Sequence, residues 1–199
     1  TKTNISGRQS LLRVLRFVRS LPGCENACIL KAQPETAVRE TYRIVGEVQI
    51  THQDYTSGRI FDDAISYSFY PIDLHDRDGV KPKPLSEGII ATVPLRALIP
   101  KESRNLLVAG RSVSSDRLAN SALRVQASCM AMGQAAGAAA ALSAHLETTP
   151  GQVSVTALHE LLMQHGAIVP CLDMKKFRDG TINANESSAN YHQEKVLSS

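Results

Sequence analysis

Few residues in this 199-residue sequence have the types and spacing for chemistry. Asp73 and His75 lie two apart. On a strand they would share one face, where a His titrating near neutral pH donates a proton and an Asp orients it. In a loop the same two residues are a surface pair, and spacing alone leaves both readings open. Arg39, Glu40 and Arg43 would suit an anionic small-molecule substrate, or equally a structural ion-pair cluster. A third group is the polar turn from Arg111 to Ser121, which holds Arg111, Ser112, Ser114, Ser115, Asn120 and Ser121, with Arg124 just beyond. It follows an apolar run ending in Gly110 and precedes a long helical stretch. Donors in front of a free helix N-terminus make an anion site, because orphan N–H groups and the helix dipole both favour negative charge. Many helices nevertheless begin near a Ser-rich loop with nothing bound.

Other patterns fail on inspection. His159-Glu160 opens like a zinc HExxH motif, but Met163 stands where the second His is required and His165 is off the needed face. Gly110-Arg-Ser112-Val-Ser114 lacks the final Gly of a nucleophile elbow. The four cysteines, Cys24, Cys28, Cys129 and Cys171, form no CxxC pair. A disulfide framework or zinc site is not expected from them, and a reducing, cytoplasmic compartment suits them best.

These residues must be positioned by ordinary globular elements. Hydrophobic residues make up 43% and charged residues 21%, which excludes a wholly disordered or fibrous chain. Aromatics are only 5% with no Trp, so the core must be built from aliphatic residues and Ala. A net charge of +3 is too small to argue for nucleic acid, and no apolar run is long enough for a membrane helix. Leu11, Leu12, Leu15 and Val18 predict a helix over 8–19, ended by Pro22-Gly23. Its Arg residues read as a solvated face rather than a membrane contact. Strands are predicted over 27–31, 42–50 and 64–70, with an irregular one over 88–98 containing Pro94. Thr51 with Asp54 predicts an N-cap. The segment 75–87 reads as a loop, and Asn105 to Gly110 as a buried parallel strand. A helix follows over 127–145, then an amphipathic helix over 155–165 closed by Gly166. In the first of these, Gly133 and Gly137 lie one turn apart among many Ala residues. Each Gly costs roughly 1 kcal/mol in a helix interior, so the stripe implies close approach of a sheet or of a cofactor. Residues 171–199 read as a polar, disordered tail.

Here a family resemblance enters. Asn105-Leu-Leu-Val-Ala-Gly-Arg111, followed by Leu123-Arg-Val-Gln-Ala-Ser-Cys-Met-Ala-Met-Gly-Gln-Ala-Ala-Gly137, resembles the C-terminal FAD-binding signature of the FAD-dependent oxidoreductase family. That family includes relatives of heterodisulfide reductase. Val38 to Glu47 and Tyr70-Pro-Ile-Asp-Leu-His75 resemble further blocks, in the same order. The resemblance implies an α/β flavoprotein of the two-domain, glutathione-reductase-like kind, present here as its C-terminal portion. It implies FAD as cofactor, with Gly110, Arg111, Ser112, Arg124, Val125, Gln126 and Ala127 at the ribityl chain and the flavin's pyrimidine edge. Arg124 would raise the reduction potential there, and Asp73 and His75 would face the substrate with Arg39 and Arg43. Ala127, Ala122 and Arg117 stand where Pro, Ser and His are common in the family. Some relatives carry a [4Fe–4S] cluster, but this chain's cysteines do not supply four thiolates in a cluster spacing.

No two of the 12 glycines are separated by a single residue, so the Gly-x-Gly turn that holds the FAD pyrophosphate is absent from this sequence. The reading is therefore a C-terminal fragment whose missing half comes from the same parent chain or a partner. The alternative is a non-catalytic globular remnant that binds no FAD alone. Expected segments are a helix and connector at 1–27, a mostly β substrate-side segment at 28–98, the FAD-domain part at 99–170, and the tail at 171–199.

Overall fold

The Thr1 hydroxyl accepts the Asn4 N–H and starts α1 (Lys2–Arg19) well before the apolar periodicity begins. This computed structural model describes residues 1–40, 42–76, 79–80 and 82–170. The chain forms two units, Thr1–Arg39 and a second that begins at Glu40. In the first, α1 has no buried residue. Thr36 ties back to it, with its N–H on Asn4 Oδ1 at 3.0 Å and its hydroxyl on Thr3 O at 3.3 Å. The strand predicted over 27–31 does not form, and Leu30 is 94% exposed there. Strand-forming residue types supply no ladder partner, and in this unit the Ala27 carbonyl is taken by Arg19 Nε at 2.7 Å.

The second unit contains α2 (His52–Ser57), β1 (Ala64–Ser68), β2 (His75–Asp76), β3 (Gly79–Val80), β4 (Ala91–Pro94), α3 (Arg117–Leu123), α4 (Gln126–His145) and α5 (Val155–Gln164). β1 pairs antiparallel with β4, and β2 with β3. The short β2–β3 pair lies in the segment expected to be a loop. The Thr51–Asp54 capping box starts α2 as predicted, and Gly58 ends the helix in the left-handed conformation. Pro94, which has no N–H to give, stands at the end of β4 opposite Ala64, beside an irregularity in the ladder.

Within residues 42–50, expected to be a strand, 44–50 are threaded between two neighbouring segments without a regular ladder. The Glu47 N–H bonds Ile99 O at 2.9 Å, the Ile44 N–H bonds Ser112 O at 3.0 Å, and the Ile50 N–H bonds Ser114 O at 3.1 Å. Gly46 permits this threading, because a Cβ there would stand 2.7 Å from Ser114 Cβ.

The core joins Ile50, Tyr55, Ile65, Val93, Leu98, Leu123, Met132 and Leu158. α4 buries Ser128, Met132, Ala135, Ala139 and Ser143 at spacings of one helical turn. Ala135 and Ala139 let α4 approach β1 and α5 closely, which explains how so few aromatics fill this core. Gly133 and Gly137 lie off that stripe and are exposed, with nothing within 4 Å of a Cβ built on either. Residues 105–109 have the composition of a buried strand yet form none. Among the described residues, Val108 N–H on Leu98 O at 2.8 Å is a single ladder-like bond, and Leu106 is 50% exposed. An apolar run specifies burial but does not carry its own partner strands. The predicted tail and Cys171 lie outside the described residues.

Candidate functional site: the α3–α4 junction

Asp116 caps α3 by accepting the Ala119 N–H at 2.8 Å, and its other oxygen accepts the His52 N–H at the start of α2. One carboxylate therefore ties two helix starts together. α3 closes at Arg124, Val125 intervenes, and α4 begins at Gln126 with no side chain capping it. The N–H groups of the first turn are left for another acceptor. A one-turn 3-10 helix at Gly110–Ser112 packs against this end of α4. Gly110 has φ +81°, a conformation that disfavours a side chain, and a Cβ there would lie 3.8 Å from Cys129 Sγ. Asn120 braces the turn: its Nδ2 donates to Arg111 O and to Ser115 Oγ, each at 3.1 Å. The structure thus brings Gly110, Arg111 and Ser112 against the helix opened by Val125, Gln126 and Ala127. Burial raises the Cys129 thiol pKa while the nearby Arg111 charge works against the rise.

Arg124 is engaged inside the protein, with a side chain only 6% exposed. Its Nη2 donates to Asp73 O at 2.9 Å and its Nε to Ser121 O at 3.4 Å. Its Nη1 lies 3.7 Å from Glu40 Oε1. Arg117 meets the other Glu40 oxygen at 3.3 Å. The Asp73 N–H in turn bonds Ser121 Oγ at 3.1 Å. So Asp73 is held by its backbone against α3. His75 is in β2, its backbone paired with Val80. Arg43 is half-buried in the second unit, while Arg39 is exposed in the first.

A polar wire across the core leaves little trace in the sequence. Tyr55, 1% exposed, donates its hydroxyl to Tyr70 O at 2.8 Å and lies 2.9 Å from Ser68 Oγ. Ser68 Oγ lies 3.0 Å from Ser128 Oγ, in the first turn of α4. Each hydroxyl has one hydrogen, and the Tyr70 carbonyl can only accept. The wire therefore has one polarity: Ser128 donates to Ser68, Ser68 to Tyr55, and Tyr55 to the carbonyl. Burial raises the Tyr55 pKa, against the contacts from Ser68 and Tyr70. The sequence signal for it is the Ser66-Tyr67-Ser68 alternation, which puts two hydroxyls on one face of β1.

Beside the α4 start runs a groove of about 910 Å³, lined by β1, α4 and the end of α5. Ile65, Tyr67, Tyr70, Leu162 and Ile168 are among the residues that line it, and so are Ser66 and Ser128. Ser66 is 2% exposed, and among the described residues its hydroxyl has no hydrogen-bond partner.

His159, the zinc-like near miss, has a structural job. Its Nε2 meets Ala64 O at 2.7 Å, which fixes that nitrogen as the donor. Among the described residues no group of three or more His, Cys, Asp or Glu is placed to hold a metal ion. Cys24, Cys28 and Cys129 are free thiols. No helix among the described residues is long and apolar enough to cross a membrane.

No curated protein and no solved structure matches the chain. The family model described as FAD dependent oxidoreductase matches residues 1–162, which include the Gly110–Ser112 turn, the α4 start and nearly all of α5. The chain belongs to the FAD-dependent oxidoreductase family, and so to the flavoproteins.

Proposed function

We propose that this chain is the C-terminal part of a two-domain, glutathione-reductase-like flavoenzyme, akin to relatives of heterodisulfide reductase. In this reading the α4 start and the Gly110–Ser112 turn receive the flavin and ribityl end of FAD. One observation carries it: a 20-residue helix with no side-chain cap opens beside a turn whose Gly110 has φ +81°. The residues fit the cofactor by their donor set. First-turn N–H groups of α4 and the positive end of its dipole suit the electron-rich pyrimidine edge of a flavin. Arg111 adds a positive charge from an exposed position.

FAD, when bound, supplies two-electron redox chemistry with a small-molecule substrate. The chain's own residues do the positioning. Arg124 holds the Asp73 backbone and the Glu40 carboxylate in place. Asp73 and His75 would stand on the substrate side, with Arg43 as a candidate substrate contact; Arg39 belongs to the first unit. The Gly-x-Gly pyrophosphate turn would come from a complementary half. The exposed Gly133/Gly137 stripe on α4 and the unladdered residues 105–109 are the surfaces that such a half would cover.

The absence of a Gly-x-Gly turn from the sequence favours a second reading, a remnant that binds no FAD by itself. A single experiment separates the two. FAD is passed over a desalting column with this chain, with a polypeptide carrying the Gly-x-Gly half, and with both. Retention of the visible flavin absorbance by the mixture alone supports the first reading. Retention in none of the three samples leaves the remnant.

A further inference from the structure

We infer that Asn120 is a positioning residue for the flavin end of the site: its two amide hydrogens hold the Gly110–Ser112 turn in place against the start of α4. By sequence Asn120 belongs with the donors of the polar turn, any of which could face an anion. The fold instead uses both of its hydrogens inside the protein. Asn120 is 1% exposed, and its Nδ2 donates to Arg111 O and to Ser115 Oγ, each at 3.1 Å. A carboxamide nitrogen has two hydrogens, so none remains for a ligand. The role toward the flavin rests on the function proposed above; the brace itself does not.

The orientation of this amide is forced. The Arg111 carbonyl can only accept, and Ser115 Oγ gives its own hydrogen to Val113 O at 3.3 Å. Both contacts therefore require the nitrogen. The amide oxygen is left buried with no partner among the described residues. An unpaired buried acceptor costs free energy, and the reversed amide would set its oxygen against the Arg111 carbonyl instead. The hydroxyls nearby have other tasks. Ser114 Oγ accepts the Gly46 N–H at 3.0 Å, and Ser121 Oγ donates to Leu118 O at 2.7 Å. Asn120 also joins the two sides of the site. Its side chain holds Arg111, while its main-chain carbonyl accepts the Arg124 N–H at 3.0 Å, two residues before α4 opens at Gln126. One residue thus sets the turn relative to the helix start.

The test uses Asn120→Ala and Asn120→Asp, the second filling the same volume without the two hydrogens. The first measurement needs no flavin. Val113 donates its N–H to Gly110 O at 3.0 Å and so closes the turn. Hydrogen exchange of that amide, followed by NMR, should speed up about tenfold in Asn120→Ala relative to the amides of α5. The second measurement mixes each chain with FAD and the Gly-x-Gly polypeptide. Both variants should hold FAD at least about tenfold more weakly than the parent chain, with a shifted visible flavin band. Unchanged Val113 exchange overturns the brace. Parent-like FAD affinity and band in Asn120→Ala overturn the positioning role. An Asp variant that matches the parent overturns the role of the hydrogens and leaves only volume. If the parent mixture retains no FAD, the proposed function fails and takes the flavin role with it, while Val113 exchange still decides the brace.

Discussion

The guanidinium of Arg124 holds the main-chain carbonyl of Asp73 at 2.9 Å, across 51 residues of sequence. Both residues stand out in the sequence as site candidates, and their link is a brace. The segment leading from Tyr70 into β2 is pinned to the α3–α4 junction by this bond and by the Asp73 N–H on Ser121 Oγ at 3.1 Å. Any change in Arg124 therefore reaches the Asp73 and His75 region through the backbone.

Arg124→Ala should destabilise the chain by about 1–3 kcal/mol, because a charged donor to a partly buried carbonyl is lost and Glu40 loses a partner. Urea unfolding should show a lower midpoint at unchanged slope. Arg124→Lys should recover only part of the loss, since an ammonium does not reproduce the guanidinium fork that spans Asp73, Ser121 and Glu40. Full recovery by Lys would count against the brace.

Gly46→Ala should cost about 1–3 kcal/mol, because the new methyl meets Ser114 Cβ at 2.7 Å and Ala97 O at 3.1 Å. Gly46→Ala with Ser114→Gly should be less unstable than the sum of the single changes. A double-mutant cycle on denaturant midpoints measures that coupling, and strict additivity would argue against the close approach.

Gly133→Ala should stabilise the chain alone by roughly 1 kcal/mol, since α4 is open there and Ala is the better helix former. If the proposed complementary half covers this face, the same change should weaken its association, because a methyl would stand between the two. Thermal melts check the first effect and pull-down with the Gly-x-Gly polypeptide checks the second. Improved association would remove this stripe from the proposed interface.

Tyr55→Phe should cost about 1–3 kcal/mol, because it leaves Tyr70 O and Ser68 with lost bonds. Burial raises the Tyr55 pKa, so its neutral form is favoured by the fold. Its contribution is present in full below the unfolded value of about 10 and is lost as pH rises through the folded value. Stability measured against pH should thus fall more steeply in alkali for the parent chain than for Tyr55→Phe. Parallel curves would exclude the buried phenol as the cause.

Much of the local architecture is legible in the sequence because it is encoded within a few residues. The Thr51–Asp54 capping box, the helix over 155–164 with Gly166 after it, and the long Gly/Ala helix all follow from side chains that act on their own neighbourhood. The family is legible too, through the run from Asn105 to Gly137. What fails is whatever needs a partner far along the chain. Residues 27–31 and 105–109 have strand-like composition but no ladder, and 44–50 find irregular partners at 96–101 and 112–116.

The sequence by itself determined where α2, α4 and α5 lie, that the core would be aliphatic and Ala-rich, and that position 110 sits at a turn before a helix; it did not show the start of α1 at Lys2, nor α3 (Arg117–Leu123), which lies within and beyond the stretch expected to be a polar turn. Tertiary structure alone decided that Arg124 faces inward onto Asp73, that Asp116 caps two helices, and that Tyr55, Ser68 and Ser128 form a wire with one polarity. The physical reason is range. Caps and helical periodicity act over one or two turns. A hydrogen bond between residues dozens of positions apart exists only after packing has brought them together and has excluded the water that would otherwise satisfy them.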